Sequence, residues 1–517
     1  MSAFLTRLRT PAVATVVFLL ALIAYHWILP LDFTGLDSGP LIQANRFDQE
    51  GGPLRCFTQE VRASIEPEVA FYRPWTGLSY GFDHAFSGLR ARAYHAADLM
   101  LHAAVATALV LVLMSLGTPG GISLLAGAWF AVHPLGVEVV PAVARRAELW
   151  VTLFLLLACL GWRGRQEGRG GMTALLVVAG LLAPLSKETG FVLPFLLASL
   201  AAPGRRWRAF ALGLALVAPA MILRTWVLQG LGGYGGWTLQ WSSLRSGLGD
   251  LLDPARLGGT WGVRIVLPLW ILASLARALR ADEEESRRHR FALAWIAFLL
   301  APAALARGLS PWYLYAPAIG MAALLAALLS GSGPRWRARR IPVTAVVMAS
   351  MLPALLVSPI HLEYPAWGEV SRQMRHWKRV VADLPPEFFD GPQLVAGLPF
   401  RVDDPARRFG RVRSASCLTD FSLRAWAQLL RGRDCDPHAA ALARILRLYA
   451  VWGVQVSWRP STGEVRLHGS GPVELMLYRD DPWFTRWPAA AGEIRLQDVR
   501  APLWRYDGWR LLRVPIP

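Results

Sequence analysis

Apolar stretches close to the roughly 20 residues that a bilayer crossing needs recur along residues 1–358, separated by short polar breaks. Read in order, they predict about eleven helical spans: 11–31, 93–116, 120–136, 145–162, 171–186, 189–203, 208–228, 260–278, 291–308, 312–330 and 341–358. The first follows a short N-terminus bearing Arg7 and Arg9. Asp32, Phe33 and Thr34 come next instead of a small-residue cleavage site, so an uncleaved first helix is expected. The stretches 163–169, 205–208, 277–290 and 335–340 are basic, and the alternate loops are not. Threading eleven spans puts all four on the side of the N-terminus, which the positive-inside bias makes cytoplasmic. Two loops on the opposite side are long, about 32–92 and about 229–259.

Beyond residue 358 the pattern changes. Residues 367–381 carry helical spacing through Val370, Met374, Trp377 and Val381, and 439–450 reads as a second helix. Residues 454–459 and 464–468 alternate around a Pro460–Gly463 break, which predicts a hairpin. Further strands are expected at 473–478 and 509–514. The predicted fold is an all-α polytopic membrane domain (1–358) followed by an extracytoplasmic α+β domain (359–517).

Composition agrees with this division. Of 517 residues 54% are hydrophobic and only 17% charged, against the roughly 25% charged that is usual in a soluble domain. The mean hydropathy is +0.35. The net charge of +18 does not point to nucleic acid, because the basic residues sit in short loops without a run that could read bases. Lys187 and Lys378 are the only lysines; every other basic residue is Arg. Four cysteines, Cys56, Cys159, Cys417 and Cys435, have no metal-ligand spacing. Cys417 and Cys435 share the tail, on the oxidising side, so a bond between them is expected to be feasible.

Ionisable residues near bilayer depth are costly to bury unpaired, so they mark function by default. Five clusters fall at the non-cytoplasmic ends of the spans. The loop LDFTGLDSGPLIQANRF holds Asp32 and Asp37, either of which could serve as a base or sit in a solvated loop. The motif FYRPW supplies Arg73, and AYHAADLMLH places His95, Asp98 and His102 at i, i+3 and i+7 on one helix face. That stripe suggests a polar cavity; it lacks a third strong metal ligand, so no metal is assigned and a divalent cation stays open. His133, Glu138, Arg145, Arg146 and Glu148 crowd one turn, where an arginine pair suits a phosphate and internal salt bridges are the competing use. Lys187 and Glu188 lie between two spans, and Tyr313 and Tyr315 in SPWYLYAPAIGM fit an aromatic belt or a polar ligand.

Taken in order, the acid after the first span, YRP, the His-bearing second span, HPLGVEVV, ARRAEL, SKETG and YLYAPAIG resemble the GT-C fold integral-membrane glycosyltransferases. They are similar in particular to the membrane half of the transmembrane-and-tetratricopeptide O-mannosyltransferases and their bacterial relatives, over roughly residues 30–330. There are departures: Leu36 precedes Asp37 where the family commonly has adjacent acids, Asp98 stands where it has Asn, and Ser310–Pro311 replaces an acid. The tetratricopeptide repeats are absent. The resemblance implies transfer of a sugar from a polyprenyl-phosphate donor to a protein, glycan or lipid acceptor on the extracytoplasmic face, with membrane lipids around it. It implies Asp37 as general base, Asp32 as the alternative acid, Arg145, Arg146 and Lys187 near the donor phosphate, and Glu138 with His133 shaping the site. Arg73, His95, Asp98, His102, Glu188, Tyr313 and Tyr315 would line the cavity. A lipid-linked-saccharide flippase or a non-catalytic envelope scaffold are the other readings; neither needs an acid in the first outer loop. The high Arg-to-Lys ratio is compatible with a GC-rich bacterial genome, and a bacterial inner membrane with the tail in the periplasm is expected.

Overall fold

The computed structural model describes residues 10–60, 71–230, 267–305, 310–331 and most of 358–403, 415–443, 453–470 and 493–515, with shorter stretches between them. Helices α1 (Thr10–Tyr25), α2 (Ser38–Ala44), α3 (Arg55–Thr58), α4 (Pro74–Ser87), α5 (Ala91–Ser115) and α6 (Gly120–Ala131) come first. They are followed by α7 (Arg146–Gln166), α8 (Met172–Ser186), α9 (Leu193–Leu200), α10 (Arg206–Leu228), α11 (Leu267–Arg280), α12 (Glu283–Leu305) and α13 (Tyr315–Leu329). Among the described residues, five segments are long and apolar enough to cross a membrane: Thr10–Ile28, Ala91–Ser115, Gly120–Glu138, Pro203–Leu228 and Pro311–Leu329. Three shorter apolar helices accompany them, Met172–Ser186, Glu188–Leu200 and Pro268–Leu279. This is an integral membrane protein. Helix falls on every expected span up to 312–330, whereas most of 341–358 and of the long loop at 229–259 lies outside the described residues.

Small residues let these helices approach closely, as expected where lipid supplies no hydrophobic drive between them. A Cβ at Gly161 of α7 would meet the Leu176 backbone nitrogen of α8 at 2.6 Å, and one at Gly213 of α10 the Pro194 Cα of α9 at 2.5 Å. All fifteen residues of α13 are buried, between α12, α6 and α5.

The C-terminal part holds α14 (Pro365–Ala382), α15 (Asp420–Arg431) and strands β1 (Pro392–Pro399), β2 (Val402–Asp403), β3 (Asp436–Ala443), β4 (Leu446–Arg447), β5 (Gly453–Arg459), β6 (Glu464–Ser470), β7 (Leu475–Met476), β8 (Thr485–Trp487), β9 (Glu493–Gln497), β10 (Leu503–Tyr506) and β11 (Leu511–Val514). One sheet runs β11-β10-β1-β3-β7, with β1 parallel to both β10 and β3. A second, antiparallel sheet runs β5-β6-β9-β8, and its first pair is the expected hairpin, with Arg459 opposite Glu464. The helix expected at 439–450 is not formed: β3 occupies 436–443. Its alanines favour a helix intrinsically, but pairing along the whole of β1 outweighs a preference of a few tenths of a kcal/mol per residue. Cys417 and Cys435 are both buried, and the expected bond between them is not formed.

One apolar core runs from Val13 in α1 through α5, α6 and α13 to Trp367, Val370 and Trp377 in α14 and Trp426 in α15. A separate cluster built on Leu394, Val454, Val465, Leu467 and Leu496 lies between the two sheets. Thus α14 and α15 pack on the membrane helices while the sheets stand beyond them.

Candidate active site

The loop after α1 folds back on the helix ends because its polar groups find partners there. Thr34 donates its hydroxyl to the Pro141 carbonyl, and Ser38 Oγ donates to the Thr34 carbonyl at 2.5 Å. Gly35 has φ +86°, a left-handed conformation that strains residues with a Cβ, and it turns the chain so that Asp37 caps α2. The Asp37 side chain makes no capping hydrogen bond and stays available.

Asp37 opens into a cleft lined also by Asn45, Arg73, Thr76, Tyr80 and Arg145. Arg145 Nη1 lies 4.0 Å from Asp37 Oδ2, and its guanidinium stacks 3.7 Å over the Trp312 ring. A stacked guanidinium keeps its in-plane edge donors free of the ring, the edge with which it takes a phosphate. Burial raises the Asp37 carboxyl above the ordinary carboxylate range, while Arg145 and Arg73 pull it back down.

Charges continue behind the cleft. Arg73 forks onto Glu188 at 2.9–3.3 Å, and Arg224 Nη1 reaches the same carboxylate at 3.1 Å. Lys187 is buried in an ion pair with Glu148, with its ammonium 4.7 Å over the Tyr313 ring. Among the described residues these give four cations, Arg73, Arg145, Lys187 and Arg224, around three carboxylates, Asp37, Glu148 and Glu188.

Several expected site residues are committed elsewhere. Arg146 is 1% exposed and holds Asp98 and Asp83, each at 2.5 Å, besides donating to the Tyr94 carbonyl. It therefore braces α4 against α5 and α7 instead of facing a phosphate. Its partners are Asp83 and Asp98 and not Glu138 or Glu148, the competing use that the sequence left open. Lys187 likewise has its charge taken up by Glu148. His102 is used at both ring nitrogens, 2.8 Å from Tyr315 Oη and 3.1 Å from the Ala131 carbonyl, so both residues of that pair are helix-packing groups. His95 Nε2 meets the Asp32 carbonyl at 3.0 Å, and His133 caps the Pro134–Glu138 turn by accepting from Leu135 N. Glu138 is buried at that turn, beside Tyr364 and outside the Asp37 cleft. Asp32, the alternative acid, accepts from Lys378 Nζ and from Phe33 N, both at 2.7 Å. No group of three His, Cys, Asp or Glu side chains suited to a metal occurs among the described residues.

Three residues of this arrangement were not singled out by the sequence reading. Arg224 had a legible signal, a charge inside an apolar span. Trp312 directly precedes the tyrosine pair that drew attention, and Asp83 gave no comparable signal.

No protein-family model matches the chain. Protein O-mannosyl-transferase TMTC2 of Mus musculus is 37% identical over 99 residues, 19% of this chain and 12% of that protein. The chain is similar to the TMTC O-mannosyltransferases. Tmtc1 of Drosophila melanogaster is 37% identical over 120 residues, 23% of this chain and 14% of its own, and human TMTC4 is 32% identical over 153 residues, 25% and 20%. The matched region thus spans a fifth or less of the length of these curated relatives. Among solved structures, the oligosaccharyltransferase of Archaeoglobus fulgidus aligns over 82% of this chain and 62% of its own at TM-score 0.44 and 11% identity. ArnT of Cupriavidus metallidurans, bound to undecaprenyl phosphate, aligns over 84% and 92% at TM-score 0.40 and 14% identity.

Proposed function

We propose that this chain is a glycosyltransferase that moves a sugar from a polyprenyl-phosphate donor to an acceptor hydroxyl on the extracytoplasmic face of a bacterial inner membrane. The observation that carries the reading is the pairing of a half-buried carboxylate, Asp37, with the stacked Arg145 guanidinium in one cleft. In the reaction, the Asp37 carboxylate takes the acceptor O–H proton, and the acceptor oxygen attacks the anomeric carbon. The bond from that carbon to the phosphate oxygen breaks, its electron pair leaves with the lipid phosphate, and the configuration inverts. Arg145 meets the charge gathering on the phosphate, where a preorganised cation contributes most. Mannose is the first sugar to test, since the similar curated proteins are named for its transfer.

The test is transfer of radiolabelled mannose from polyprenyl-phosphate-mannose in proteoliposomes supplemented with host membrane acceptors. Asp37→Asn keeps the shape and removes the base, so transfer is expected to fall by roughly 10²–10⁴. Donor binding survives that change. Full transfer by Asp37→Asn refutes the assignment, and movement of labelled lipid between leaflets without transfer favours the flippase.

A further inference from the structure

The loop bearing Asp37 is held from outside the membrane part. The Asp32 backbone N–H donates to Ser371 Oγ of α14 at 2.8 Å, and Lys378 of the same helix donates to the Asp32 carboxylate. Gly35 N–H donates to the Ser416 carbonyl at 3.2 Å, and Leu36 N–H to Ser416 Oγ at 3.3 Å. Phe33 packs on Trp426 of α15 with ring centroids 5.2 Å apart, and the Lys378 ammonium lies 5.4 Å over the same Phe33 ring. Gly39, two residues past Asp37, lies so close to Trp426 that a Cβ there would stand 2.8 Å from its indole nitrogen. Three backbone N–H groups within five residues before Asp37 are therefore satisfied by the C-terminal part, and an ion pair and an aromatic contact clamp the same stretch.

We infer that the C-terminal part sets the reactive geometry of the first outer loop, with Lys378 and Ser416 as positioning residues that hold Asp37 against Arg145. The inference rests on the transferase reading above. Lys378 touches neither Asp37 nor Arg145; it acts through Asp32, which gives one of the two lysines a defined task. The Lys378 ammonium sits between the Asp32 carboxylate and the Phe33 face, pairing with the one and lying over the other. It also gives Asp32 a role distinct from that of a base. The distance between Asp37 and Arg145 then depends on α14 and α15 being docked, and small misplacements of reacting groups are costly in rate.

The experiment uses the full-length protein in proteoliposomes with polyprenyl-phosphate-mannose. Lys378→Met and Ser416→Ala are expected to lower transfer at saturating donor by up to about 10²-fold, as misplacement by an ångström does. The donor concentration giving half that rate stays within about twofold, since a positioning loss acts on the reacting geometry more than on donor binding. Lys378→Arg restores part of the rate by restoring the charge. Hydrogen exchange at residues 33–38 rises in Lys378→Met and Ser416→Ala, a readout independent of any activity. Gly39→Ala, which pushes Trp426 away from the loop side, is expected to reproduce both effects should Lys378→Met fail to fold. Unchanged exchange and unchanged transfer in these variants, with Asp37→Asn inactive, overturn the positioning role and leave the transferase standing. Full transfer by Asp37→Asn overturns the transferase reading itself, whatever exchange at 33–38 shows.

Discussion

Asp37 and Arg145 face each other across 4.0 Å, and both line one cleft. The contact is too long for a strong hydrogen bond, so the two groups are not locked in a tight pair.

That arrangement gives a pH signature. Burial raises the Asp37 carboxyl above its ordinary value, and Arg145 lowers it. The base works ionised, so transfer falls as pH drops through that raised value. Arg145→Ala removes a lowering charge and moves the acid limb of the profile to higher pH, besides weakening donor binding. A pH–rate profile of the two proteins decides it; superimposed acid limbs refute the coupling.

The same shift has a stability consequence of opposite sense. The folded protein holds the Asp37 proton more tightly than the unfolded chain does. Its favourable contribution is therefore full below the unfolded value of about 3.9 and is lost as pH rises through the folded value. Asp37→Asn should raise the melting temperature in detergent at pH 7 while abolishing transfer, and the advantage should vanish near pH 4. No gain at pH 7 would mean that the ionised carboxylate is better solvated than its burial implies.

Lys187 and Glu148 are both nearly inaccessible, at 6% and 5% side-chain exposure. Truncating one partner leaves a buried charge, so Glu148→Ala is expected to cost about 3–5 kcal/mol. Replacing both with methionine is expected to be neutral or stabilising, because two desolvation penalties disappear together. Thermal unfolding of the two variants separates these outcomes, and a stable Glu148→Ala protein would show that Lys187 finds another anion.

At the α7–α8 contact, Gly161→Ala drives a methyl into the Leu176 backbone, which cannot rotate away as a side chain would. The expected cost is about 1–3 kcal/mol, the usual range for overpacking. Gly204→Ala, whose added methyl meets nothing within 4 Å, is the control and should unfold with the wild type.

Length and apolar continuity by themselves placed the apolar helices along the chain, because a bilayer demands runs of about 20 apolar residues whatever the tertiary arrangement. The hairpin of β5 and β6 was equally legible, since its alternation and its turn are local. The acid in the first outer loop was visible too, as a polar group where burial is costly. What only the tertiary structure decided is how each charge is used. Neighbouring Arg145 and Arg146 read alike in sequence, yet one stacks on Trp312 beside the cleft and the other is sealed between Asp98 and Asp83. Asp32 and Asp37 are likewise five residues apart in one loop, and Lys378, 346 residues downstream of Asp32, separates their roles. The strand at 436–443 overrode a helical composition for the same kind of reason. Partners distant in the chain set the energy of a buried charge or of a paired backbone, and no local pattern encodes which partners those are.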